Sequence, residues 1–297
     1  MPEFPRPASL GRSPSRPAPE VDVRRLLLLA VAMLDTSALS AEPPATLRPG
    51  VAYHYVKSNL DGSDPWQVTT YVSSPRRLDV LKWGEGRGEV VEVTADLDPT
   101  GCVAQHLEQW NLRDGAMALS MWAELAEDGW TLSFHRQGIP PVVLRGSGRP
   151  LHPYGFDMQA MDVSPRCLSK TSNPPVIGLN GFNPMPDGTP PLVDYGLIRV
   201  QALGDERVGD LPCRKVRLAG KDFTVLVWFS REDARVVRAE SARPDSPDWS
   251  SFKLERKRTE PMDPFQWQAF RTRVLARFLA PSPAPGKASS GPDGGRR

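Results

Sequence analysis

The chain has 297 residues, which is enough to bury a substantial core in one large domain or two small ones. Its 37 basic and 35 acidic residues leave a net charge of +2. The two signs are interspersed, which argues against a nucleic-acid-binding protein because such proteins concentrate Lys and Arg on one face.

Residues 1–40 are predicted to be a leader and signal peptide. Arg24-Arg25 precede the apolar run Leu26–Leu34, and Ala38-Leu39-Ser40 supplies small residues at the positions that a signal peptidase inspects. The apolar run is shorter than the ~20 residues that span a bilayer, which favours export over a retained membrane anchor. We therefore expect a periplasmic or secreted protein.

Export would place the three cysteines, Cys102, Cys167 and Cys213, where disulfides can form. An oxidising compartment allows one disulfide among them and one remaining thiol, and the spacing leaves the pairing open. In a period of two, Cys213 falls on the same face as Lys215 and Arg217, so we expect it to be the most accessible of the three. The three cysteines lie far apart in the sequence, and no metal site is predicted.

The first half of the chain is predicted to form an antiparallel meander. Apolar and polar residues alternate with a period of two, and turn residues such as those of Gly84–Gly88 separate the runs. The segment 115–129 has a composition that favours helix, but it also fits a period of two, and Asp128-Gly129 is typical of a hairpin turn with Trp130–Phe134. The other predicted strands are Val51–Lys57, Trp66–Ser73, Leu78–Trp83, Val90–Ala95 and Val103–Leu112.

The stretch Leu211–Glu240 has the clearest pattern, three short apolar runs separated by the turns at 220–222 and 231–234. Its middle strand is apolar on both faces, so both must be covered by other parts of the chain. One face carries Phe223, Val225, Val227 and Phe229, and the other carries Leu226 and Trp228.

Two more strands and a helix complete the predicted elements. The strands are Tyr195–Leu203 and Trp249–Arg258. Asp263-Pro264 is typical of a helix cap and first turn, and Pro281 ends that helix. Its basic face would also suit an anionic membrane, but we expect the helix to dock on its own domain. Its apolar stripe consists of Trp267, Phe270, Val274 and Phe278.

The internal segment 154–191 has a different character. Phe156, Ala160 and Val163 have helical spacing, and Pro174–Pro191 is rich in Pro, Gly and Asn. So long an irregular stretch inside a domain is typically functional or disordered, and we interpret it as a lid, with a disordered insertion as the alternative. Residues 281–297 are predicted to be a disordered tail.

The passage Gly209–Glu240, with its order of Trp-containing strand, charged turn and strand, is similar to the end of an exported family of unknown function. The order of elements as a whole resembles the periplasmic half-barrel proteins related to the outer-membrane lipoprotein carriers. That resemblance implies a curved sheet whose concave face accepts acyl chains. It transfers no site residue to this chain, and the insertion 174–191 departs from the pattern.

The sequence therefore predicts a mainly β fold, a curved antiparallel half-barrel sheet with one or two covering helices, in one domain over residues 45–280. The leading function is a non-catalytic protein that binds or carries a lipid or acyl chain, with no cofactor. The ligand is predicted to lie on Met121, Trp122, Leu226 and Trp228.

Two alternatives stay open. One is an envelope module that binds another envelope protein and has no ligand. The other is a hydrolase built on scattered His and Asp residues, although no catalytic motif is present. The sequence does not specify the oligomeric state.

Overall fold

The structure is a computed structural model, and its described residues all belong to one compact unit, residues 43–297. The predicted signal peptide (1–40), the helix at 156–163, the tail (281–297), Cys102 and Cys167 lie outside the described residues. The described ranges are 47–99, 104–113, 115–125, 129–136, 139–147, 151–153, 177–180, 193–197, 199–221, 223–244 and 249–279.

Within these ranges the chain forms sixteen strands, one α-helix and a short 3₁₀-helix at Glu85–Arg87. In chain order the strands and the α-helix are β1 (Val51–Ser58), β2 (Trp66–Ser74), β3 (Arg77–Gly84), β4 (Glu89–Leu97), β5 (Ala104–Arg113), β6 (Ala116–Leu125), β7 (Gly129–Arg136), β8 (Ile139–Ser147), β9 (Leu151–Pro153), β10 (Ile177–Asn180), β11 (Val193–Leu197), β12 (Arg199–Val208), β13 (Leu211–Gly220), β14 (Phe223–Ser230), β15 (Val236–Ser241), β16 (Phe252–Pro261) and α1 (Pro264–Leu279).

Thirteen of the strands form one open, curved antiparallel sheet in the order β12-β13-β14-β15-β16-β1-β2-β3-β4-β5-β6-β7-β8. The fold class predicted from the sequence is confirmed, including the hairpin of β6 and β7. The other three strands form a small sheet in the order β11-β10-β9, so the Pro-rich run 174–191 contains a short strand.

Strand β8 was not predicted, because Pro140 and Pro141 argue against a strand in the middle of a sheet. The structure resolves the conflict by position. Among the described strands β8 is outermost and pairs with β7 alone, and its two prolines lie where the register of that pairing shifts, so residues without an N–H are tolerated there.

The central strands bury apolar residues on both faces. We call the face that carries Tyr53, Tyr55 and the alternate residues of the neighbouring strands the core face, and the face under α1 the helix face. Direct cross-strand pairs keep the core face continuous, for example from Val227 through Ala239 to Leu254. Other buried members of the core face are Val68, Val72, Leu78, Val80, Val93, Ala95, Leu107, Met121, Ala123, Val216, Leu218 and Val225.

Helix α1 covers the helix face, as the apolar stripe predicts. At its start the Asp263 carboxylate accepts a hydrogen bond from the Gln266 N–H, and the Gln266 side chain accepts one from the Asp263 N–H, both at 2.8 Å. The Trp267 ring stacks on Tyr71 with ring centroids 5.0 Å apart. Arg271 forms an ion pair with Glu92 of β4, which fixes the helix to the sheet on its basic side as well.

Two glycines lie directly beneath tryptophan rings of neighbouring strands, Gly84 beneath Trp66 and Gly146 beneath Trp130. A Cβ added at Gly84 would lie 2.5 Å from Nε1 and 2.7 Å from Cε2 of Trp66. Glycine is therefore required here by close approach and not by backbone conformation.

We expect Gly84→Ala to lower the free energy of unfolding by about 1–3 kcal/mol, because the added methyl group overpacks the Trp66 ring. Urea unfolding followed by tryptophan fluorescence measures the effect. Gly86→Ala is the matched control, since nothing lies within 4 Å of a Cβ at that position. Equal stability of the two variants would show that Trp66 moves aside without cost.

Candidate functional site

The four predicted ligand-binding residues do not lie on one surface. Met121 belongs to the core face and is fully buried. Trp122 follows it in the same strand and therefore points to the opposite face, where it is half-buried. Leu226 and Trp228 also lie opposite the core face, on β14, which seven intervening strands separate from β6 in the sheet order. The structure thus brings Leu226 and Trp228 together but separates them from Met121.

Trp228 packs in a small apolar cluster with Cys213 and Val237. The Lys215 ammonium lies 4.7 Å and the Arg238 guanidinium 5.3 Å from the centre of its ring, so the indole is held between two cations. This environment is that of a structural tryptophan on a charged outer surface.

The accessibility expected for Cys213 is wrong. Its face was predicted correctly, since it lies beside Lys215 and Trp228, but only 1% of the residue is exposed. Val208 and Leu211 of the β12–β13 hairpin pack against its cluster. Burial accordingly raises the pKa of the thiol above its usual value of 9.0, and the Cys213 sulfur is a free thiol.

A cleft of about 590 Å³ lies where β1 and β16 meet the turn between β14 and β15. Its apolar wall is formed by Val51, Tyr53, Leu211 and Pro261. Tyr53 is a buried member of the core face, and Val51 packs against that core. The cleft therefore borders the apolar layer of the sheet, with Tyr53 itself only 3% exposed.

The Tyr53 ring in this wall lies between two buried guanidinium groups. The Arg235 guanidinium is 4.9 Å and the Arg256 guanidinium 5.8 Å from the ring centre. Arg235 is only 1% exposed, and the Arg256 side chain is 6% exposed. Positive charge is thus built into the wall beneath the apolar surface.

The turn 231–235 is ordered by hydrogen bonds that aim Asp233 at Arg256. The Ser230 hydroxyl accepts from the Glu232 and Asp233 N–H groups, and Asp233 Oδ2 accepts from Arg256 Nη1 at 2.8 Å. Burial alone would raise the pKa of Asp233, but Arg256 lowers it below its usual value of 3.8. Ala234 has a φ of 54°, a left-handed conformation that costs a non-glycine residue roughly 1–2 kcal/mol.

The charged rim of the cleft depends on a β-bulge in β16. Tyr55 pairs with Arg256 and His54 with Arg258, so Lys257 is the extra residue between them. Three consecutive basic residues thereby border the cleft, with Arg256 on the side of Tyr55 and Arg258 on the side of His54. Arg48 completes the rim, and Glu232 and Asp233 are its acidic members.

A hydroxyl, an imidazole and a carboxylate meet on the helix face, as in a serine hydrolase, but the hydroxyl contacts Nδ1 and the carboxylate Nε2, the reverse of the nitrogens used in that triad. The Thr69 hydroxyl lies 3.0 Å from His54 Nδ1, and Glu260 Oε1 lies 2.8 Å from His54 Nε2. Phe270 of α1 packs edge-on against the imidazole at 5.7 Å. Thr69 is 1% exposed and His54 8%, so no substrate reaches the hydroxyl, and the arrangement serves to hold β1, β2, β16 and α1 together.

The other histidines with described side chains, His106 and His135, lie on β5 and β7 and interact with Glu108 and Ser133 within their own strands. In the described part of the chain no group of three or more His, Cys, Asp or Glu side chains is arranged to hold a metal ion. Over the same residues, no helix combines the length and apolar character that crossing a bilayer requires.

No protein-family profile and no curated protein matches this sequence. Among solved structures it is similar to a β-barrel-like protein of the domain of unknown function DUF1849 from Brucella abortus, with 9% identity, a TM-score of 0.40, and coverage of 73% of this chain and 100% of that one. The complex of MucA and MucB from Pseudomonas aeruginosa matches with 11% identity, a TM-score of 0.26, and coverage of 73% and 54%.

A LolA superfamily protein from Nitrosomonas europaea matches with 11% identity, a TM-score of 0.24, and coverage of 76% of this chain and 94% of that one. The lipoprotein-carrier-like half-barrels that the sequence resembles are thus represented among these structures. At such TM-scores the overlap transfers no ligand or activity to this chain.

We expect Trp228→Ala to lower the free energy of unfolding by about 3–5 kcal/mol, since a buried tryptophan leaves a large cavity. Trp122→Ala, at a half-buried position, serves as the matched control and should cost clearly less. Denaturant unfolding of both variants provides the measurement. Similar losses for the two would contradict the structural role assigned to Trp228.

The buried His54 should make stability depend on pH. Burial, with a contribution from Arg258, lowers its pKa below the usual 6.5, so the unfolded chain binds a proton more readily than the folded one. The free energy of unfolding should therefore fall as pH falls below about 6.5, and His54→Gln should remove part of that fall.

Urea unfolding of wild type and His54→Gln between pH 5 and 8 tests this. His106→Gln is a suitable control because the His106 side chain is 38% exposed. A pH dependence unchanged by His54→Gln would show that other groups cause it.

Proposed function

We propose that this protein is an exported, non-catalytic binding protein that carries a hydrophobic ligand, a lipid or an acyl chain. One observation supports the proposal above the others. The wall of the cleft is part of the apolar core face, because Tyr53 and Val51 belong to both. A ligand in the cleft would therefore contact the apolar layer of the sheet without unfolding it.

The size and lining of the cleft suit a part of such a ligand. Its volume of about 590 Å³ falls within the ~300–1,000 Å³ of small-molecule pockets. Leu211 and Pro261 offer apolar contact at its mouth, and the charged residues lie around them. Burying apolar surface of the ligand there contributes roughly 25 cal/mol per Å².

Two predictions from the sequence, the cover and the signal peptide, are part of this proposal and stay predictions. The segment 154–191 would cover the ligand, and the signal peptide would direct the protein to the periplasm or outside the cell. Of the four predicted ligand residues, Met121 shares the core face with the cleft wall, whereas Trp122, Leu226 and Trp228 belong to the other side of the sheet. We therefore assign the ligand to the core face.

A second candidate function has a specific observation in its favour. Strand β12 is an outer strand of the sheet, and almost all of its residues are exposed. Such an edge can pair with an extended segment of another protein, which is how an envelope interaction module would use this fold. A hydrolase has weaker support, because the hydroxyl of the Thr69–His54–Glu260 cluster is closed to substrates.

The proposal is tested by the binding of a fluorescent fatty acid to the purified exported protein, with native mass spectrometry for lipid that co-purifies. Leu211→Gln should weaken probe binding several-fold, because it replaces apolar contact at the mouth of the cleft with a polar side chain. Leu60→Gln is the control, since Leu60 is exposed and does not line the cleft.

Absence of both co-purified lipid and probe binding in the wild type would overturn the proposal in favour of the interaction module. Equal weakening by Leu211→Gln and Leu60→Gln would move the ligand away from the cleft.

A further inference from the structure

We infer that the cleft between β1, β16 and the turn 231–235 holds the anionic end of the ligand, a carboxylate or phosphate at the end of an apolar chain. This inference rests on the proposed function and specifies the ligand class. It depends on the charges that line the cleft, which an entirely apolar ligand would leave unused.

The lining of the cleft has more positive than negative charge. Four cationic side chains and two carboxylates line it, an excess of two positive charges. Arg256 and Asp233 neutralise each other through their 2.8 Å hydrogen bond. The charges left at the rim are those of Arg48 and Lys257 against Glu232, since Arg258 is paired with Glu260 beside His54.

The acids that pair with two of these cations do not line the cleft. Lys257 contacts Glu255 at 2.9 Å and Arg258 contacts Glu260 at 3.3 Å, and both acids lie outside the lining. Arg48 is exposed and, among the described residues, has no acidic partner at ion-pair distance. An anion in the cleft would therefore meet two kinds of cation. Some have an acidic partner that lies outside the cleft, and Arg48 has none among the described residues.

The buried Arg235 guanidinium adds to this field. It lies 4.9 Å from the centre of the Tyr53 ring, within the protein, where water screens charge less than at the surface. An anion against the Tyr53 wall would face Arg235 and the rim cations together. Beside this position the same wall offers Val51, Leu211 and Pro261 to an attached apolar chain, so one cleft provides for both ends of an amphiphile.

The experiment compares dodecanoate and dodecyl phosphate with dodecan-1-ol, a neutral molecule of the same chain length, by displacement of a neutral fluorescent probe from the full chain. We expect the wild type to bind at least one of the two anions about tenfold more tightly than the alcohol, as charge-assisted hydrogen bonds permit. The preference should decrease as salt is added. Tighter binding of one anion than of the other would identify the head group of the ligand as a carboxylate or a phosphate.

Three variants locate the effect. Arg48→Gln with Lys257→Gln should reduce the preference for the anion to about twofold or less while leaving the alcohol unaffected. Glu232→Gln should increase the affinity for the anion, because it removes the opposing charge from the rim. Arg145→Gln with Lys221→Gln makes the same change in net charge at exposed positions that do not line the cleft, and should change nothing.

Each failure has a separate meaning. If no amphiphile displaces the probe, the proposed function fails and this inference with it. If the alcohol binds as tightly as both anions, or if the Arg145/Lys221 control lowers the preference as far as the cleft variant does, the inference fails while hydrophobic binding stands. If inorganic phosphate binds as tightly as dodecyl phosphate, the cleft is not a site for an amphiphile.

Discussion

The central strands of this sheet carry apolar side chains on both faces, and each face must be removed from water for the sheet to persist. Helix α1 removes one of them, with Trp267 stacked on Tyr71 and Arg271 joined to Glu92. The other face becomes a continuous apolar layer of aliphatic and aromatic side chains that extends from β13 to β6. The cleft and the hydrogen-bonded turn beside it both lie along this layer.

At the cleft the apolar layer is combined with charge, which is an arrangement that a core avoids unless each charge is balanced. Arg256 is buried against Tyr53 and is balanced by Asp233, and the carboxylate is aimed by a turn that holds Ala234 in a left-handed conformation. The left-handed conformation of Ala234 is tolerated because the Ser230 hydroxyl, at the start of the turn, accepts hydrogen bonds from the N–H groups of Glu232 and Asp233. Fold and candidate site are therefore not separable here.

Much of the fold could be predicted because alternation is a local property. The faces of β14, the hairpin of β6 and β7 and the docking of α1 each follow from neighbouring residues. The cleft could not be predicted in this way, since it requires residues from β1, β13, the turn 231–235 and β16 to meet. The bulge at Lys257 contains no Gly or Pro, so no local signal predicts that this residue lies outside the pairing of β1 with β16.

The predicted ligand surface failed to assemble for a related reason. Period two already separates Met121 from Trp122, but only the register through seven intervening strands reveals that Trp122, Leu226 and Trp228 share the face opposite Met121. Cys213 shows a second limit of prediction from local alternation, which gives the face of a residue but not its exposure. Its face was right, but its exposure depended on Val208 and Leu211, which a hairpin brings back over it.

The pairing of β1 with β16 has a consequence for the order in which the protein can fold. Val51 lies opposite Pro261, so the middle of the sheet joins the two ends of the described chain. Helix α1, which covers β1 to β4, follows still later in the sequence. A ribosome that has released only the first half of the protein has released a meander without its central partner or its cover. Native contacts of high sequence separation form slowly, and so the chain stays open until its last strand and helix emerge. Closure of the core is thereby postponed until the whole domain is present.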